Sequence, residues 1–322
     1  MAIFDLQSRA GTAISHARGM WNKHWYLPLL PALYCLILAG AGALRPEHVI
    51  VAVVVAALGF AAPLTKRSVS IAYPLLLIAL AYDVFHFLQP KLVTPATVWS
   101  CRMRALELSV FAKAPNLTWQ DYFAVHHSAA FDVFFAIPYG VFLFAVAAYG
   151  VYLSFVDELR SRRFVWAVAV AYLLSIALWM TVPAAPPWYV RTHGCSIDTS
   201  VLGSAAGLLR VDQLLGIHYF ADFYAHSPAV FAAFPSMHCA FPVIGMLVGW
   251  SGASWVSRPV HVLYSAAMFC ASIYLDHHWI VDGVVAWMVA AIGAYSAPVI
   301  MRALGQLPPM RKGLDRDPVI AA

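Results

Sequence analysis

Two histidines and two aspartates stand in the apolar stretch "YLDHHWIVDGVVAW", residues 274–287. An ionisable side chain at the centre of a membrane span costs about 2.5–3.5 kcal/mol on insertion scales, so such groups mark function there. His278 and Asp282 are four residues apart and share a face if the segment is helical. A carboxylate so placed holds one imidazole nitrogen and leaves the other free as a nucleophile. Taken alone, the pair also fits a satisfied buried pair or an element of a proton path. A second group lies in "AAFPSMHCAF", residues 232–241. Pro235 suits a first helical turn, Ser236 and the free N–H groups of that turn suit an anion, and His238 is able to give or take a proton. A third stretch, "MTVPAAPPWYVRTHG", is a proline-rich collar carrying Trp188, Tyr189 and Arg191, and aromatic rings of that kind favour the membrane interface.

The elements that must position these groups are membrane helices. Hydrophobic residues make up 62% of the chain and charged residues 11%, against about 45–50% and about 25% in soluble domains. The composition implies an integral membrane protein, so the net charge of +5 speaks to topology and not to nucleic acid. No cleavable signal peptide is expected, because the first twenty residues lack a continuous apolar core. Apolar runs predict an all-α polytopic bundle of about eight spans (six to eight): 25–43, 48–64, 69–87, 131–155, 164–182, 236–250, 259–276 and 279–301. Residues 1–322 read as one membrane domain. Within it lie an N-terminal cytoplasmic or interfacial segment, 1–24, an exterior connection, 88–130, a motif region, 183–301, and a cytoplasmic tail, 302–322. Dense positive charge in "TKRS" and "DELRSRRF" puts those loops and both termini in the cytoplasm. The motifs then face the exterior, periplasmic or lumenal.

In 98–112, Trp99, Met103, Leu106 and Val110 fall at helical spacing with Arg102, Arg104 and Glu107 off that stripe. The segment reads as an amphipathic helix on the outer interface, or else as a helix packed on the bundle. Of the five cysteines, Cys35, Cys239 and Cys270 fall in spans, while Cys101 and Cys195 fall one in each exterior connection. An oxidising exterior permits a Cys101–Cys195 bridge; two unrelated thiols are the alternative.

Together these residues resemble the type 2 phosphatidic acid phosphatase superfamily. Its middle motif, Pro-Ser-x-His, is met by Pro235, Ser236 and His238. Its last motif, a Ser-Arg pair upstream of His-(three residues)-Asp, is resembled at Ser272, His278 and Asp282, with Ile273 in place of arginine after the serine. Its first motif, a lysine upstream of Arg-Pro, has no match. The strings "PAAPPWY", "FPSMH" and "YLDHHWIVD" look like the fungal inositol phosphorylceramide synthase branch and its bacterial relatives. "HHSAAFDVFFAIPYG" upstream is similar in character.

The resemblance implies a six-helix catalytic core and a phosphotransferase in a bacterial inner membrane or a Golgi-type membrane. His278 would attack phosphorus, Asp282 would orient it, and His238 would serve as acid and then base. Ser236, Arg191, Tyr189, Asp132 and His277 are the expected substrate contacts. Three of them have a structural alternative: His277 as a hydrogen bonder, Arg191 as an interfacial arginine, Asp132 as the partner of His126. Asp276 reads as a cap or a hydroxyl contact. The expected partners are lipids, a glycerophospholipid donor (phosphatidylinositol foremost) and a ceramide or diacylglycerol-like acceptor. No cofactor and no metal are expected, because no carboxylate cluster suits one. A lipid phosphate phosphatase using water is the second reading. A transporter with a His/Asp relay is the third, and the pairing of Pro-Ser-x-His with His-x-x-x-Asp argues against it.

Overall fold

The computed structural model describes Ser15 and residues 19–225 and 230–308. The expectations for most of 1–24 and for the end of 302–322 lie outside the described residues. The chain forms two compact units, 1–73 and 74–322.

The first unit carries α1 (Leu30–Gly40), α2 (Pro46–Ala61) and α3 (Pro63–Ala72). Proline opens both α2 and α3, the helix position where its missing N–H costs nothing. Trp21 Nε1 donates to the Gly59 carbonyl at 2.8 Å and Tyr73 Oη to that of Leu27 at 2.5 Å, so the polar tips of two aromatic rings are satisfied within the unit.

The second unit holds the motifs. Its helices are α4 (Pro74–Leu92), α5 (Cys101–Phe111), α6 (Trp119–Val125), α7 (Ala129–Gly140), α8 (Phe142–Val156), α9 (Glu158–Thr181), α10 (Pro187–His193), α11 (Leu209–Leu215), α12 (Tyr219–Ala225), α13 (Met237–Gly249), α14 (Ser257–Tyr274) and α15 (Ile280–Ala303). Helices α9 and α15, 24 residues each, are long and apolar enough to cross a membrane. Among the described residues the count of such elements is two, or up to four if each of two bent helix pairs is one span. Helices α9 and α15 pack against each other with their backbones close. A Cβ on Gly293 would sit 2.5 Å from the Ala167 carbonyl oxygen and 3.2 Å from Ala171 Cβ. Small residues at a crossing are what membrane helices use in place of a hydrophobic driving force.

Two expected spans are interrupted. The run 131–155 bends by 45° between α7 and α8, where Pro138 removes a backbone donor and crowds the preceding turn. The run 69–87 crosses the end of α3 at Ala72 and a fresh start at Pro74 for the same reason. The hydrophobic count gave no sign of either break, because proline barely alters it.

Among the described residues no strand forms, yet three loops pair by single parallel bridges, Trp99 with Ala184 and Ala184 with Ala232. Trp99 N donates to Pro183 O (2.8 Å), Ala185 N to Trp99 O (2.9 Å), and Ala184 N to Phe231 O (2.8 Å). Three irregular segments thereby satisfy one another's backbone. A disulfide joins Cys101 to Cys195, which are 94 positions apart in sequence, with Cα atoms 5.2 Å apart. Ser100 Oγ also donates to the Cys195 carbonyl at 3.1 Å. Cys35, Cys239 and Cys270 are free.

Helix α5 packs on α10 and α15 with a face that keeps Met103 of the apolar stripe but takes Glu107 in place of Leu106 and Val110. Met103 and Glu107 are fully buried, whereas Leu106 and Val110 are exposed. The charged residue went inward because it has donors waiting there, described below.

Closing a loop of this length removes denatured-state entropy worth about 4–5 kcal/mol in the chain-entropy model. Non-reducing peptide mapping is therefore expected to recover a Cys101–Cys195 linked peptide. Dithiothreitol is expected to lower the melting temperature of the purified protein in detergent. Free thiols at both positions in protein kept oxidised would contradict this.

Candidate active site

The turn between α14 and α15 carries the histidines. Helix α14 ends at Tyr274, and Asp276 follows in the left-handed region, φ 67°, a position that glycine usually takes after a helix. The amides of His277 and His278 both donate to the Ser272 carbonyl at 3.1 Å, which closes the helix end and aims both rings inward. Aspartate at this position adds a side chain that pairs with Arg191. Gly207 lets its loop approach: a Cβ there would lie 2.8 Å from Leu275 Cα. That approach brings the Ala205 carbonyl to 3.0 Å from His277 Nε2. His277 is held down to about 3, first by burial and then by the neighbouring His278, so at neutral pH its ring is uncharged.

His278 is fixed by two acceptors on one nitrogen. Its Nδ1 lies 3.0 Å from the Ala233 carbonyl and 3.5 Å from Asp282 Oδ2. Both neighbours only accept, so Nδ1 carries the proton and Nε2 presents a lone pair. His238 Nδ1 lies 3.2 Å from that Nε2. With Nε2 an acceptor, the proton between the rings sits on His238. Tyr139 Oη lies 3.3 Å from the same His238 nitrogen, and the Tyr139 ring stacks on His238 and on His277 at 4.3 and 4.9 Å. Asp282 has a second task, for Oδ2 accepts the Trp279 amide at 2.9 Å and caps α15. Trp279 Nε1 donates to the Ala185 carbonyl at 2.9 Å, and the Ser236 amide donates to the Asp282 carbonyl at 3.3 Å. The two motif segments are thus bonded backbone to backbone.

His238, His277 and His278 open into one cavity of about 650 Å³, with Tyr139, Tyr224 and Trp188 on its polar-aromatic side and Phe142, Leu143 and Phe241 on its apolar side. No lysine, arginine, aspartate or glutamate among the described residues lines it. Such a chamber is able to take a monoanionic phosphorus centre beside an imidazole nucleophile and a second imidazole for proton transfer.

The other expected contacts lie around the chamber and do not line it. Ser236 is buried, and its Oγ accepts the Cys239 amide as the cap of α13. Tyr189 is buried, with Oη donating to the Ser196 and Asp198 carbonyls and accepting the Asp198 amide. Arg191 is engaged by Asp276. Asp132 pairs with Arg210 at 2.8 Å and accepts Tyr274 Oη at 3.0 Å, with His127 at 3.5 Å. His126, the partner that the structural alternative gave Asp132, stacks on Tyr122 instead. In the last motif five residues separate the Ser-Arg pair from the histidine. Counted back from His278, the pair falls on Ala271 and Ser272, so serine stands at the arginine position. Among the described residues no group of three or more His, Cys, Asp or Glu side chains is arranged to hold a metal ion. Tyr139, Glu107 and Gln120 went unmarked by sequence reasoning. Their only trace there was polarity in or beside apolar runs.

The profile of the PAP2 superfamily matches residues 106–296. The chain belongs to the PAP2 superfamily. It is similar to the phosphoinositol dihydroceramide synthase of Bacteroides thetaiotaomicron, at 30% identity over 270 residues, 82% of this chain and 88% of that protein. It is also similar to the inositol phosphorylceramide synthase of Candida albicans, at 32% identity over 155 residues, 47% of this chain and 32% of that one. With the inositol phosphorylceramide synthase catalytic subunit AUR1 of Saccharomyces cerevisiae the identity is 28% over 165 residues, 50% of this chain and 41% of that one. The chain thus spans under half the length of these fungal relatives. No solved structure matches it. Its apolar helices together with these relatives make it an integral membrane protein.

Tyr139→Phe keeps the ring that stacks on both histidines and removes only the hydroxyl beside His238. A neutral hydrogen bond is worth about 1 kcal/mol, so turnover is expected to fall roughly fivefold with KM little changed. Unaltered turnover would show that the hydroxyl has no part in the proton transfer.

Proposed function

We propose that this protein transfers phosphoinositol from phosphatidylinositol to the primary hydroxyl of a ceramide or dihydroceramide. The observation that carries the reading is the cavity itself, where His278 Nε2 lies 3.2 Å from His238 Nδ1 and no lysine or arginine among the described residues lines the wall. A phosphomonoester carries about −1.5 to −2 charge near neutrality, whereas a phosphodiester carries one. A chamber whose polar side chains among the described residues are imidazoles, phenols, indoles and one serine hydroxyl suits the diester. Its apolar wall suits lipid on both sides of the exchange, and the names of the relatives agree.

His278 Nε2 attacks phosphorus, and the bond to the diacylglycerol oxygen breaks. His238, charged as the imidazolium in the donor complex, gives one proton to that departing alkoxide and is left as the neutral base. The inositol phosphate is left on His278 as a phosphoramidate, while the Ala233 carbonyl and Asp282 hold the Nδ1 proton and the positive charge. The ceramide hydroxyl then enters, His238 takes its proton, the new P–O bond forms and the P–N bond breaks. His277 donates from Nε2 to Ala205, which leaves Nδ1 to accept from an inositol hydroxyl. Arg191, Tyr189, Ser236 and Asp132 act as the frame that keeps the cavity walls in place. The chain crosses the membrane about eight times with both termini cytoplasmic and the cavity toward the exterior. The positive charge of "TKRS" and "DELRSRRF" supports that orientation, and the exposed Leu106 and Val110 of α5 support its lying on the outer interface.

Purified protein given labelled phosphatidylinositol and ceramide is expected to yield labelled inositol phosphorylceramide and diacylglycerol. His278→Ala is expected to abolish this and to prevent trapping of an acid-labile phospho-enzyme. Release of phosphate from phosphatidate without ceramide would favour the hydrolytic reading instead.

With a histidine nucleophile, activity is expected to persist in EDTA. Loss of activity that Mg²⁺ or Mn²⁺ restores would contradict the mechanism.

A further inference from the structure

Glu107 is one of the most buried carboxylates of the second unit, with no exposed surface. Burial pushes its carboxyl up, and the donors from Ile280, Gln120 and Val281 oppose that push. Its Oε1 accepts the Ile280 amide at 2.9 Å and Gln120 Nε2 at 3.0 Å; its Oε2 accepts the Val281 amide at 3.2 Å. Those two amides open α15 and belong to the donors that a helix leaves without intrahelical partners. A negative charge is favoured at that end of the helix dipole. Asp282 already takes the preceding amide, that of Trp279. The first turn of α15 is therefore held from inside by Asp282 and from outside by Glu107, 173 residues away from Ile280.

Gln120 extends this hold to the nucleophile. The same Nε2 that donates to Glu107 donates to the His278 carbonyl at 3.1 Å. Its Oε1 is buried without a partner, so this amide is placed for its donors alone. One carboxylate thus reaches the backbone on both sides of Trp279, at His278 and at Ile280–Val281. These are the atoms that set where the His278 ring stands relative to Ala233 and His238.

We propose that Glu107, acting with Gln120, is a positioning residue of the transfer reaction: it fixes the first turn of α15 so that His278 Nε2 stands opposite His238. It touches neither substrate nor the reacting atoms. The inference rests on the reading of His278 as nucleophile.

Glu107→Gln keeps size and one acceptor but turns an amide N–H₂ toward the N–H groups of α15. Gln120→Leu keeps volume and cuts the links to Glu107 and to the His278 carbonyl, while Glu107 keeps its two bonds to the amides of α15. Phospho-enzyme formation is measured per folded molecule with labelled phosphatidylinositol, together with kcat and KM, beside His278→Ala. The expected result is a fall of roughly 10–100-fold in kcat and in the rate of phospho-enzyme formation for Glu107→Gln, on the scale that losing an outer-shell partner costs at metal-bound histidines. A smaller fall in the same direction is expected for Gln120→Leu, with donor KM within about twofold for both. A merely structural role would lower the folded yield and leave the rate per folded molecule unchanged, and that result overturns the proposal. So does a rise in KM at constant kcat. If Glu107→Gln does not fold, Gln120→Leu decides by the same criteria. Turnover retained by His278→Ala would refute the nucleophile assignment itself, which is a different outcome from wild-type rates in the other two variants.

Discussion

A helix that begins inside an apolar bundle presents backbone N–H groups with no water to bond. Helix α15 begins in that way, and its start is where the reactive histidine lies. Leaving such donors unpaired costs free energy comparable to a lost hydrogen bond each. Trp279, Ile280 and Val281 donate to two carboxylates, Asp282 from the helix itself and Glu107 from α5. The consequence is geometric. Once those bonds are made, the turn before the helix has little freedom, and His277 and His278 inherit fixed directions from it.

The second determinant is a backbone platform. The loops around Trp99, Ala184 and Ala232 bond to one another, and the last of them offers the Ala233 carbonyl to His278. A neutral acceptor at 3.0 Å and a carboxylate at 3.5 Å share one ring nitrogen. This fixes the tautomer without placing a full ion pair inside the bundle, where desolvation would weigh against it. The disulfide joins the start of α5 to the loop beyond α10. The helix that supplies Glu107 is therefore fastened covalently next to the platform that supplies Ala233.

The distribution of charge around the cavity follows from the same economy. Arginines lie nearby, but each is matched by a carboxylate, Arg191 by Asp276 and Arg210 by Asp132. Among the described residues the lining itself is left with imidazole, phenol, indole, the Ser204 hydroxyl, the Met237 sulfur and hydrocarbon. Neutral donors stabilise an anion less than a guanidinium does, but they do not bind it tightly in the ground state. For a group that must arrive on one lipid and leave on another, modest ground-state binding is an advantage.

Much of this was written in the sequence. Composition gave the membrane class, and apolar runs marked most of the helices, because burial in lipid requires long stretches of uniform character. The spacing of His278 and Asp282, and Pro-Ser-x-His at the start of α13, marked the reacting groups because i, i+4 geometry is local. What the sequence could not decide was every choice that depends on distant partners. Proline broke two of the expected spans without changing their hydropathy. Asp132 took Arg210 and not the nearby His126, and Arg191 went to Asp276, because pairing between charges is settled by which loops pack together. Above all, Glu107 looked like part of the wet face of an amphipathic helix. Only the tertiary structure brings the unpaired amides of a helix 173 residues onward to meet it, and that need for a partner, invisible along the chain, turns a surface residue into a buried one.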